Sequence, residues 1–87
     1  MPCISRFYGI AIYMYWDEAW HARPHIHARY AGETASVGLD GELIAGSLPP
    51  RALGLVREWV LLRRAELAAN WARARRVEPL EPVDPIA

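Results

Sequence analysis

His25 and His27 stand two residues apart in the run Pro24-His25-Ile26-His27-Ala28-Arg29-Tyr30. If that run is a β-strand, its side-chain period of two puts His25, His27 and Arg29 on one face and Ile26, Ala28 and Tyr30 on the other. Two imidazoles beside a guanidinium support four readings. A metal site would use both imidazoles, with His21, Asp17 or Glu18 completing it. Such a site needs three or four ligands in fixed geometry and the spacing supplies two, so no metal or other cofactor is expected. Acid–base cleavage of RNA needs no metal. One imidazole would take the ribose 2′-hydroxyl proton, the other would protonate the leaving oxygen, and Arg29 would hold the phosphate. The third reading is recognition of phosphate or carboxylate without catalysis. In the fourth the histidines are structural, with each Nδ1–H donated to nearby backbone and the rings packed beneath Trp16 or Trp20. The residue types alone leave all four open. The candidate catalytic pair is His25 and His27, with Arg29 as the anion-binding group.

A second candidate lies near the C-terminal end. Every basic residue is Arg, and Arg73, Arg75 and Arg76 cluster where a helix is expected to finish. Such a cluster is an electrostatic footprint for nucleic acid or an acidic partner. It is also what complements the negative end of a helix dipole. Ten Arg and seven acids precede Glu78, giving +3, whereas Glu78, Glu81 and Asp84 give the last ten residues −3. The single cysteine, Cys3, has no partner for an internal disulfide and no neighbouring base to activate it. With no secretory pattern and no apolar run longer than a strand, the expected location is cytoplasmic and away from membranes.

The elements that must position these groups follow from periodicity. Ile4 to Trp16 has strand composition throughout and reads as one long first strand, with Ile10, Ile12, Met14 and Trp16 on one face and Tyr13 and Tyr15 on the other. Asp17 to Pro24 is a loop. His25 to Tyr30 and Glu33 to Leu39 form a hairpin through Ala31-Gly32, which borders the histidines with Thr34, Ser36 and Gly38. After the Asp40-Gly41 turn, Glu42 to Ala45 adds a short strand or leads into the helix. Ser47 is the expected N-cap, and Pro50 fits the first turn. Helical periodicity then runs to about Arg76 and stops at Glu78-Pro79. Gly54 implies a close helix–sheet contact. Trp59 and Trp71, twelve residues apart, read as core anchors near one side of the helix. Glu78 to Ala87 is an extended Pro-rich acidic tail, and no internal repeat is apparent. The expected fold is thus α+β: an antiparallel three- or four-stranded β-meander packed against one long C-terminal helix. One domain covers residues 1–77, and the tail covers 78–87.

The blocks "PCISRFYGIAIYMYW", "PHIHARY", "DGELIAGSLPPRAL", "VREW" and "ELAANWARAR" resemble, in order, those of the bacterial domain-of-unknown-function family 4160. In that family the paired histidines sit in a Pro-Pro-His-Phe-His block. Pro24, His25 and His27 match it, while Ala22-Arg23 replaces the first Pro. The family commonly has Glu where Arg29 stands and His where Arg63 stands. Its members often sit beside another small family and carry a toxin–antitoxin label. The resemblance therefore implies a component of a two-gene pair, acting through a protein partner encoded nearby or through a homo-oligomer, with RNA as a second candidate ligand. "HIHARY" and "ELIAGSLPPRALGLV" also echo the layout of HicA-type messenger-RNA interferase toxins, a likeness of fold alone because the N-terminal helix of those toxins has no counterpart. The alternative from another class is a non-enzymatic interaction or regulatory domain with structural histidines.

Overall fold

The computed structural model describes residues 3–16 and 23–86. Five strands, β1 (Cys3–Phe7), β2 (Ile10–Tyr13), β3 (His25–Tyr30), β4 (Glu33–Gly38) and β5 (Leu43–Gly46), form one antiparallel sheet in the order of the chain. Two helices follow, α1 (Pro50–Leu62) and α2 (Arg64–Arg75). The architecture is α+β, as expected. The strand and helix counts differ for local reasons.

The first difference is in the opening stretch, which is a hairpin rather than one strand. Tyr8 and Gly9 both take positive φ, 50° and 79°. Two such residues in succession make the tight turn whose twist matches antiparallel strands. Tyrosine is unusual there, so aromatic composition concealed a turn that Gly9 alone had to signal. Ala31-Gly32 repeats the geometry, φ 51° and 83°, at the hairpin expected between β3 and β4. The short strand after Asp40-Gly41 also forms and becomes the edge strand β5. Its pairing with β4 is irregular, with Leu43 opposite Val37 and Ala45 opposite Ser36, so Ile44 is the extra residue of a bulge.

The second difference is in the helix. It begins at Pro50 with Pro49 as N-cap and no side-chain cap, so Ser47 does not cap it. It also leaves the helical path at Arg63, φ −104° and ψ 23°, which divides it in two. On an unbroken helix, twelve residues rotate to about 120° away from the starting direction, so Trp59 and Trp71 would point apart. With the break at Arg63 both indoles are buried. Gly54 is exposed, and a Cβ built on it would meet nothing within 4 Å. The close helix–sheet contact expected there is absent.

One face of the sheet carries the core. Phe7, Ile10, Ile12, Ile26, Ala28, Ala35 and Val37 pack with Val56, Trp59, Val60 and Leu67. Phe7 and Trp59 rings lie 5.3 Å apart. The segment after α2 is stitched to this core: the Trp59 indole N–H donates to the Asp84 carbonyl at 2.8 Å, and the Val83 N–H donates to the Ile4 carbonyl at 2.8 Å. No helix of the described residues is long and apolar enough to cross a membrane.

Candidate functional site

The opposite face of the sheet presents the histidines. Strand register places Cys3, Tyr13, His27, Ser36 and Ala45 in one row across β1 to β5, and Ala11, Arg29 and Thr34 in the next across β2 to β4. His25 faces Gly38. The small polar residues of β4 therefore do border the histidines. The two imidazoles lie on the same side with ring centroids 5.0 Å apart.

Their surroundings differ. The His25 ring is 7% exposed. Its Nδ1 lies 2.7 Å from the Arg23 carbonyl oxygen, which can only accept, so Nδ1 carries the proton. On its other side the ring leans on Trp71 of α2, centroids 5.3 Å apart. Gly38 leaves the space in which Arg23 reaches Asp40, Nη2 to Oδ2 2.7 Å, since a Cβ at that glycine would crowd both groups. The Glu42 backbone N–H, together with the Arg23 charge, holds the Asp40 carboxyl below its ordinary range. His27 is half-buried, with Nδ1 3.3 Å from the Ser36 hydroxyl and its ring edge against Tyr15 at 4.9 Å. Tyr13 and Tyr15 stack in parallel at 6.3 Å, and the exposed Arg29 guanidinium lies over the Tyr13 ring at 5.3 Å. Tyr13 is buried beneath these groups, so this face offers the edges of half-buried Tyr15 and His27 and the exposed Arg29 guanidinium, chemistry suited to receiving anions.

The helix arginines belong to a different place. Arg73 donates to the Asn70 side-chain carbonyl at 2.8 Å and pairs with Glu81 at 2.8 Å, while Arg76 pairs with Glu78 at 3.1 Å. The two acids belong to the tail and Asn70 to α2, none of them to the histidine face. Arg75 is exposed in the last turn of α2. His21, Asp17, Glu18 and Trp20 lie outside the described residues. Among the described residues no group of three His, Cys, Asp or Glu could hold a metal ion.

Four contributors escaped the sequence reading. Trp71 was expected to anchor the core, and it also walls His25. Tyr13 and Tyr15 were placed on this face by alternation, but nothing joined them to the histidines until the register was known. Asn70 is fully buried and grips the tail through its amide, Nδ2 to the Glu81 carbonyl at 2.8 Å and Oδ1 to the Glu81 N–H at 3.0 Å. A lone Asn within an Ala-rich helix was the available signal, because Asn is a poor helix former that favours caps.

A five-stranded antiparallel meander backed by a kinked helix, with an imidazole and tyrosines on its other face, defines a small α+β domain. The chain belongs to the family described as a domain of unknown function, DUF4160, whose pattern matches residues 9–72. No curated protein and no solved structure matches it.

Proposed function

We propose that the chain is a cytoplasmic protein-interaction module of a toxin–antitoxin-like gene pair, which engages the protein encoded beside it through the end of the domain formed by β5 and the last turn of α1. The supporting observation is an exposed apolar patch at the sheet edge. Leu43, Ile44, Leu61 and Leu62 are between 37% and 58% exposed. The Leu61 side chain lies against Gly41, in the turn that leads into β5. Leu43 sits opposite Val37 and so leans toward the helix side, while the bulge at Ile44 restricts further strand pairing. Such an edge suits apolar docking better than sheet extension. Co-purification with the neighbouring protein tests this. Ile44→Asp and Leu61→Glu, both at exposed positions, should abolish capture without lowering the melting temperature. Undiminished capture would sink the reading.

A second reading rests on the His27 face, where half-buried Tyr15 and His27 and exposed Arg29 offer a surface for single-stranded RNA. Catalysis by both histidines would require His25 to exchange its bond with the Arg23 carbonyl for substrate, so the buried ring favours recognition over cleavage. Expression of the chain alone, with and without His27→Ala, separates the readings. Growth arrest that His27→Ala abolishes while the fold persists would support the RNA reading, and arrest unaffected by it would exclude His27.

A further inference from the structure

The tail is built from one triplet written three times: Glu78-Pro79-Leu80, Glu81-Pro82-Val83 and Asp84-Pro85-Ile86, each an acid, a proline and an aliphatic residue. A polyproline II helix has three residues per turn and no internal hydrogen bonds. This repeat therefore aligns the aliphatic residues on one edge and leaves the main chain to find partners outside the segment. Burial follows the same period. Leu80, Val83 and Ile86 are buried or half-buried, whereas the three prolines and three acids are exposed.

The main-chain partners follow it too. The carbonyl of each acid accepts a hydrogen bond from a different donor: Glu78 from the Trp16 indole at 2.7 Å, Glu81 from the Asn70 amide at 2.8 Å, and Asp84 from the Trp59 indole at 2.8 Å. Side-chain donors spaced to match successive turns, two of them indoles, are a feature of proline-rich ligand recognition. The groove therefore fits a chain carrying three tandem acid-Pro-aliphatic triplets, and Arg73 pairing with Glu81 matches its charge. None of these contacts depends on which copy of the chain supplies the tail.

The join between tail and helix is strained. The Val77 N–H bonds to the Ala74 carbonyl at 3.1 Å and the Glu78 N–H to the Arg73 carbonyl at 2.9 Å, a helix-terminating turn whose pivot usually belongs to glycine. Here the pivot is Val77, a β-branched residue at φ 54°. It is exposed, so no packing compensates the strain.

We propose that the groove lined by Trp16, Trp59 and Asn70 is a polyproline-recognition site occupied interchangeably by the chain's own tail and by the tail of a second copy, giving a tail-exchanged dimer as Val77 relaxes to an extended conformation. Each dimer relieves two strained pivots.

The test uses the native Cys3 and a cysteine introduced by Asp84→Cys. The tail N–H at Val83 bonds to Ile4, so the two thiols flank the same junction. A short bis-maleimide then closes a ring within one chain when the tail is home, and links two chains when it is exchanged. The expected result is a covalent dimer whose share rises with protein concentration before cross-linking. Adding Val77→Gly, which removes the strain, should weaken dimer association about tenfold or more. Intramolecular cross-linking at every concentration overturns the proposal. So does a dimer seen by sedimentation whose cross-links stay within one chain, since it pairs through another face, and so does a covalent dimer that Val77→Gly leaves undiminished.

Discussion

His25 and His27 show how one alternation can yield two different residues. Strand periodicity correctly predicted that their rings would share a side. It carried no information about depth, because depth depends on what the distant Trp71 and the Arg23 carbonyl do at position 25. His25→Ala should therefore cost about 1–3 kcal/mol, from the carbonyl left without its donor and the lost ring contact, read as a lower melting temperature. His27→Ala should cost less than His25→Ala, since the His27 ring is only half-buried and its Ser36 contact is long. Equal destabilisation by the two would contradict the asymmetry. Asn70 makes the same point: its residue type hinted at a role, but only the fold supplies Glu81 as the partner. Asn70→Ala should destabilise by about 1–3 kcal/mol and speed proteolysis within residues 78–86, because both main-chain groups of Glu81 lose their partner.

Elements were legible where a single physical rule governs them. Alternation gave β3 and β4, the Ala31-Gly32 turn gave their register, and Pro50 gave the start of α1. The Tyr8-Gly9 turn was hidden because aromatic residues rarely accept positive φ, and the break at Arg63 was hidden because no proline or glycine marks it. The tail repeat was present in the letters but only gains meaning when a three-residue helical period is applied. Two substitutions test the helix description. Gly54→Ala should stabilise by about 0.5–1 kcal/mol, because the new methyl meets nothing and the helix gains propensity. Trp59→Ala should cost about 3–5 kcal/mol, as burial of a whole indole requires. The tail adds a pH dependence. Side-chain hydrogen bonds from Arg76, helped by the Arg76 and Arg73 charges, hold the Glu78 carboxyl below its ordinary value of 4.5. A carboxylate lowered in the folded state stabilises above that ordinary value, and its contribution is lost as pH falls through the folded value. Glu78→Gln should therefore melt slightly below the parent chain at neutral pH, by a small margin because the pair is exposed, and the two melting curves should converge as pH falls to about 3.

At the scale of the molecule, the sheet has one face closed by the helices, one face carrying His27 and the tyrosines, and an edge at β5 that differs from the rest of the surface. The tail lies against the N-terminal side, where Val83 bonds to Ile4. The exposed leucines and isoleucine lie on β5 and in the last turn of α1, where Leu61 rests against Gly41. That distribution could not be read in advance, because Gly41 and Leu61 lie far apart in sequence and only the fold brings them together. The central claim is that this end receives the protein encoded beside the chain. Amide hydrogen exchange of the complex tests it most directly. The account predicts slowed exchange at Leu43 to Gly46 and at Leu61 and Leu62, with the His27 row unchanged. Protection confined to Tyr13, His27 and Ser36, with the β5 end exchanging as in the free chain, would contradict it.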